Sequence, residues 1–167
     1  MKLIKLIGCS LLLLSSLAFA EENKKFYLGG KTGDFKVDVD FLDSMSAKGF
    51  YGGINFDGFN SLEIETITSE KANIKVGSST VGSAKIKSTA IYYAYRSGKP
   101  LFFKYRIGLL KEDVETSGRG GQFEGSDSGL SLGLGGGYNF GPALIEVEYT
   151  IIEADVNYLS GGLAIQF

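Results

Sequence analysis

The chain has 167 residues, enough for one domain, and carries 17 basic residues against 19 acidic, a formal net charge of -2. That balance points away from a nucleic-acid partner, the absence of His removes the commonest general base and metal ligand together, and a single Cys cannot build an internal disulfide framework. Gly is frequent at 24, Pro rare at 2, and 12 Phe and 9 Tyr accompany no Trp, a composition suited to many closely packed strands.

Residues 1–20 read as a cleaved secretory leader. Lys2 and Lys5 form a charged start, an apolar run extends from Leu6 to Leu17, and Ala18-Phe19-Ala20 is an A-x-A cleavage signal. The run is too short for a spanning helix. Leu6-Ile7-Gly8-Cys9 resembles a lipidation box, but Cys9 lies too early in the leader and reads as a small core residue of it. Cleavage after Ala20 leaves a single domain over residues 21–167, with 15 basic residues against 19 acidic and no Cys.

No later stretch is long and apolar enough for a membrane helix, so a spanning form of this chain must be a closed barrel, in which every backbone group finds a partner. The mature sequence fits that demand in eight segments. Phe26 to Thr32 sets Phe26 and Leu28 against Tyr27, Gly29 and Lys31. A polar connection over Asp34 to Lys48 follows, whose Phe35, Val37, Val39 and Phe41 alternate well enough to prolong the strand. Gly49 to Phe56 is the second strand, with Phe50, Ile54 and Phe56 opposite Tyr51, Gly53 and Asn55, and Asp57-Gly58 is a tight turn. Ser61 to Thr68 is the third, with Leu62 and Ile64 facing one way and Glu63 and Glu65 the other. Glu70 to Gly82 reads as a polar loop.

The fourth strand, Ala84 to Tyr95, puts Ile91, Tyr93 and Tyr95 outside and Ser88, Ala90, Tyr92 and Ala94 inside. Arg96 to Pro100 reads as a short turn. The fifth alternates Leu101, Phe103, Tyr105, Ile107 and Leu109 with Phe102, Lys104, Arg106, Gly108 and Leu110. Glu112 to Ser128 is a long charged, Gly-rich loop. Leu130, Leu132, Leu134, Tyr138 and Phe140 mark the sixth strand, Gly141-Pro142 a turn, and Ile145, Val147, Tyr149 and Ile151 the seventh. The eighth, Tyr158 to Phe167, has Leu159, Leu163, Ile165 and Phe167 on one parity. Short turns follow strands two, four and six, and long connections follow one, three and five. The prediction is an all-β, eight-stranded antiparallel up-and-down transmembrane β-barrel. The short connection after strand seven departs from the rhythm.

Charges fall on the parity of the small residues. Lys31, Glu63, Glu65, Lys104, Arg106, Glu146 and Glu148 therefore point inward, because a charge on the lipid face near mid-membrane costs about 2–4 kcal/mol. A barrel of eight strands is just wide enough for its side chains to fill, so these groups must pair. The uses open to them are a gated polar path or an active site on one side, and a charge-paired plug that holds the barrel shut on the other. No nucleophile–base pair can be assembled without His, so no catalytic residue, cofactor or metal is expected. Gly29-Gly30-Lys31-Thr32 lacks the upstream Gly of a phosphate loop, and Asp38, Asp40 and Asp43 lack the Gly turn and closing Glu of a calcium loop.

The leader, the eight alternating segments and the ending Ser160-Gly161-Gly162-Leu163-Ala164-Ile165-Gln166-Phe167 resemble the small outer-membrane barrels of Gram-negative bacteria. The stretch Tyr149 to Phe167 is most similar to the OmpA-like, opacity-type, porin-like family. The resemblance implies an outer-membrane location in contact with lipid, and surface loops that meet an environmental or host ligand. It also implies that Ser160, Gly162, Ile165 and Phe167 are read as an address by the barrel-assembly machinery, although Ile165 stands where an aromatic is common. It does not extend to a cell-wall-binding domain. The expected role is a non-catalytic envelope barrel working through its loops at 34–48, 70–82 and 112–128. The alternative is a narrow channel for small solutes.

Overall fold

The computed structural model describes residues 25–37, 44–76, 79–118, 121–153 and 156–167. The expected leader and cleavage site lie outside the described residues, as do Asp38, Asp40 and Asp43. Among the described residues nine strands form one antiparallel sheet: β1 (Phe26–Val37), β2 (Met45–Asn55), β3 (Asn60–Ser69), β4 (Ala72–Val76), β5 (Ser79–Ser97), β6 (Leu101–Gly118), β7 (Gly121–Asn139), β8 (Ala143–Glu153) and β9 (Val156–Gln166). β3 and β4 lie in line along β5. The first pairs with its Lys87–Tyr95 stretch and the second with Ser79–Ala84, so the two fill one place in the wall. The barrel therefore has eight staves, closed where β1 pairs with β9.

The stagger follows from the register. From Gly30 the ladder leads through Phe50, Thr66, Thr89 and Lys111 to Ser128 on β7. In the other direction it leads through Leu163 and Ile145 to Tyr138 on the same strand. The difference is a shear of ten residues. Eight strands with that stagger tilt by about 40° and leave an interior that side chains can fill.

Alternation then sorts the side chains. Phe26, Leu28, Phe50, Ile64, Leu101, Phe103, Leu109, Leu132, Leu134, Val147 and Leu163 are exposed on the outside. The inside stacks in three layers. Nearest the short turns are Tyr27, Tyr51, Phe102, Leu144 and Ala164. Toward the long hairpins is an apolar layer that includes Phe35, Met45, Ile67, Ile86, Leu110, Ile152, Val156 and Tyr158. The ionised residues described below lie between.

Three connections differ from the sequence expectation. Residues 70–82 are not a loop but hold β4 and the start of β5, paired as a hairpin. Residues 112–128 are a second hairpin, in which β6 and β7 pair without a register shift out to Gly118 and Gly121. Arg96 is not in a turn but continues β5. In the first two cases Ser, Thr and Gly on both faces suppress the polarity alternation that marks a membrane strand, while hydrogen bonding continues. The short turns are tight. At the first, the Asp57 carboxylate accepts the Phe59 and Asn60 N–H groups at 2.9 and 2.7 Å, and Gly58 takes φ +81°, open to Gly without strain.

Candidate functional site

The most ordered chemistry in the molecule is the ionised layer at the barrel's waist. Lys31, Glu63, Glu65, Lys104, Arg106, Glu146 and Glu148 are all buried. The structure adds an eighth member, Arg96, which balances four cations against four carboxylates. Its position was legible: Ser88, Ala90, Tyr92 and Ala94 set the inward parity of β5, and Arg96 is the next term. The short-turn reading ended that series one step early. Glu112, likewise read as loop, is buried near the hairpin end.

The pairing is dense. Lys104 Nζ lies 3.0 Å from Glu63, 3.0 Å from Glu146 and 3.1 Å from Glu148. The Arg106 guanidinium holds both Glu65 oxygens, at 2.7 and 3.1 Å, a bidentate fork that fixes orientation as well as charge. It also meets Glu148 at 2.6 Å and Thr150 at 2.8 Å. Lys31 bonds Glu148 at 3.1 Å and contacts Glu65. Arg96 bonds Glu63 at 2.6 Å, and the Tyr27 hydroxyl accepts from Arg96 and donates to the same Glu63.

Tyrosines line the layer as flat walls. The Arg106 guanidinium carbon is 3.8 Å from the Tyr92 ring centroid, and that of Arg96 is 4.6 Å from Tyr27, distances at which a cation is attracted to the ring face. Local backbone makes room for this. A Cβ at Gly133 would come within 2.6 Å of Arg106 Cγ, so only glycine lets the long side chain lie across β7.

Below the layer, at the short-turn end, an open cavity of about 460 Å³ is bordered by Arg96, Phe102, Leu144 and Gln166. It reaches the ionised layer at Arg96, whose side chain is 10% exposed while its acid partner Glu63 is 0% exposed. Above the layer the apolar cluster fills the interior. No group of three or more His, Cys, Asp or Glu placed to hold a metal is found among the described residues.

The closing seam is held at its end by Phe167. Its N–H and C=O exchange hydrogen bonds with Phe26 at 2.9 and 3.0 Å, and the two rings stack with centroids 6.2 Å apart. Of the other terminal residues singled out by sequence, Ser160 is buried, and Gly162 and Ile165 pair across the seam with Lys31 and Leu28.

A closed sheet with an apolar exterior and a paired ionic interior defines a transmembrane barrel, and residues 7–165 match the outer membrane protein beta-barrel domain family. The chain belongs to that family and is an outer-membrane β-barrel protein. Among solved structures it is similar to Neisserial surface protein A, with TM-score 0.66 and 15% identity over 85% of this chain and 97% of that one. It is also similar to Ail, the attachment invasion locus protein of Yersinia pestis, with TM-score 0.57 and 16% identity over 85% and 95%. A third is the outer membrane protein OprG of Pseudomonas aeruginosa, with TM-score 0.57 and 10% identity over 89% and 98%. At these identities the likeness is one of fold. No curated protein matches the sequence.

Proposed function

We propose that this barrel is a closed, non-catalytic scaffold of the outer membrane whose work is done by the hairpins it holds beyond the lipid. The observation that carries the reading is the division of the molecule. Inside, four cations and four carboxylates pair across the waist beneath an apolar layer, an arrangement that resists parting because each group would be left charged and unpaired. Outside, β5, β6 and β7 run well past the outward apolar belt that ends at Ile91, Leu109 and Leu130, with Val81 the one apolar residue on the outward parity beyond it. Short turns on the periplasmic side and larger segments on the outer side are the rule for such barrels.

Ail has been crystallised with the heparin analogue sucrose octasulfate, and a ligand-presenting role for a barrel of this fold agrees with the reading. Ser160, Gly162, Ile165 and Phe167 would serve insertion through the barrel-assembly machinery, with Phe167 both address and seam. The test combines two measurements. Planar bilayers holding the refolded protein are expected to show no reproducible opening. Because the only Cys of the chain lies at position 9, Phe123→Cys and Lys99→Cys would be unique labelling sites once the leader is removed. An impermeant maleimide on intact cells should reach the first and not the second. Steady conductance abolished by Lys104→Ala would replace this reading with the channel, and labelling at position 99 alone would reverse the topology.

A further inference from the structure

The short-turn mouth of the barrel is a built vessel. Backbone bonds run from turn to turn around its rim. The Asn55 N–H donates to Lys25 at 2.6 Å, Arg96 to Phe59 at 2.7 Å, Asn139 to Pro100 at 2.8 Å and Gln166 to Pro142 at 2.9 Å. The Gln166 side-chain amide braces the third turn, donating to Asn139 Oδ1 at 3.1 Å and to the Gly141 carbonyl at 3.0 Å. Inside this rim lies the cavity of about 460 Å³. The ionised waist closes its inner end, with the apolar layer stacked behind, so it is a cup with one mouth.

The charge of the cup is lopsided. Three cations line it, Lys25, Arg96 and Lys99, against one acid, Asp57. Lys25 precedes β1, Asp57 lies between β2 and β3, and Arg96 and Lys99 lie at the end of β5. These strands are neighbours in the wall, so the cations share one half of the rim. Lys99 leans toward the first turn, its ammonium 3.6 Å from the place a Cβ on Gly58 would take. Asn139, Gly141, Leu144 and Gln166, on the other half, are uncharged.

The one acid is committed to its own turn, where Asp57 accepts from the Phe59 and Asn60 N–H groups and from Asn60 Nδ2. Lys25 and Lys99 are exposed, and among the described residues neither is ion-paired. Arg96 is the waist ion that the cup touches. Its side chain is 10% exposed, where those of the other seven are 2% or less. Like charges around a concavity focus their field into it, and a ligand of opposite sign relieves their repulsion.

We infer that the short-turn mouth is a binding cup for a small organic anion, a carboxylate or phosphate ester with an apolar body. Lys25 and Lys99 close on its charge from the rim, Arg96 meets it at the floor, and Phe102 and Leu144 border its apolar part. A cavity of about 150 Å³ takes a benzene ring, so this one admits a ring, its charged group and water. The occupant is a free solute, because the cup lies within the ring of turns and lipid headgroups lie outside the wall. The site is at the opposite end from the hairpins and does not depend on their role.

The probes are benzoate and phenyl phosphate, with benzyl alcohol as the uncharged control and benzylamine as the cationic one. They are titrated into the protein without residues 1–20, refolded into phosphatidylcholine nanodiscs. Both anions should give saturable shifts of the Gly58, Gly98 and Gly141 amides and of the Gln166 side-chain amide, and the controls little response. Added salt should weaken the binding. Lys25→Gln/Lys99→Gln removes two exposed ammonium groups that lie outside the waist network. It should weaken both anions about tenfold, the worth of two surface-strength ion pairs, with heat-modifiable migration retained. Lys87→Gln/Lys111→Gln makes the same change in charge on exposed residues far from the mouth and should leave binding as it is. Arg96→Lys keeps the charge, loses the planar fork and should also weaken binding. Should that variant fail to fold, the rim pair carries the test.

Unchanged affinity in Lys25→Gln/Lys99→Gln, shifts confined to the outer wall or the hairpins, or no saturable response to either anion would overturn the site. Equal binding of benzyl alcohol at the mouth would make the cup an apolar pocket and overturn the anion. If a protein begun at Lys24 binds the probes and one begun at Glu21 does not, the occupant is the chain's own Glu21-Glu22 and the free solute is overturned.

Discussion

β6 and β7 each obey two sets of rules along their length. From Leu101 to Leu109 every outward residue of β6 is large and apolar, the inward Lys104 and Arg106 meet a filled interior, and from Phe103 on both flanking strands are present. From Lys111 to Gly118, Asp113 and Glu115 take the outward parity, and the facing residues of β7 are exposed on both sides. The lower ladder is fixed by two unlike surroundings, lipid and a packed lumen, so a slip of one residue would turn every side chain to the wrong one. The upper ladder lacks that contrast: β5 still flanks β6 out to Gly118 and Val114 still packs on the apolar layer, but the facing stretch of β7 meets no packed surface on either side. Rigid specification and adaptable surface are thus neighbours on one strand pair, and the border falls between Leu109 and Lys111.

The sharpest way to break this contrast is to remove a charge on each side of the border. Lys104→Met takes away the cation shared by Glu63, Glu146 and Glu148 and leaves buried carboxylates short of a partner. The expected loss is about 3–5 kcal/mol, read as a fall in the urea midpoint of the heat-modifiable folded band in micelles. Glu115→Gln in the hairpin should stay within about 0.5 kcal/mol of the parent, because the side chain is exposed and stands between Lys85 and Glu124, one opposite charge and one like. Equal losses would mean that the waist is not the stabilising centre described. A smaller contrast concerns the outward parity. Leu134→Lys places a charge in the apolar belt and should cost about 2–4 kcal/mol, whereas Phe123→Lys should change little. A comparable cost at position 123 would put the hairpin in lipid and move the border upward.

The same border separates what was legible in the sequence from what was not. Below it, parity placed Tyr27, Lys31, Glu63, Glu65, Tyr92, Lys104, Arg106, Glu146 and Glu148 on the inside, because lipid leaves no freedom about which face is apolar. Arg96 was lost only because Ser97-Gly98 shortened the assumed strand. Above the border the strands of the two hairpins were read as loops, since Ser, Thr and Gly on both faces carry no alternation. The network's geometry was out of reach for another reason. Which carboxylate meets which cation depends on a shear of ten residues, and that is a property of the closed ladder rather than of any one strand.

The smallest expected effect lies at the opposite end of the barrel, in the Asp57 turn. Hydrogen bonds from the Asn60 backbone and side chain and from the Phe59 N–H hold its carboxyl below the usual range. A carboxylate stabilised in the folded form contributes above its unfolded value and loses that contribution as the pH falls through the folded one. The gap in stability between the parent and Asp57→Ala should therefore be steady near neutral pH and narrow below about pH 4. Taking the difference cancels every pH effect that the two proteins share. The carboxyl is fully exposed, so the narrowing should be slight beside the effect of Lys104→Met. A gap that widened toward low pH would mean that Asp57 is held in its protonated form, and the turn's three hydrogen bonds would then need reassignment.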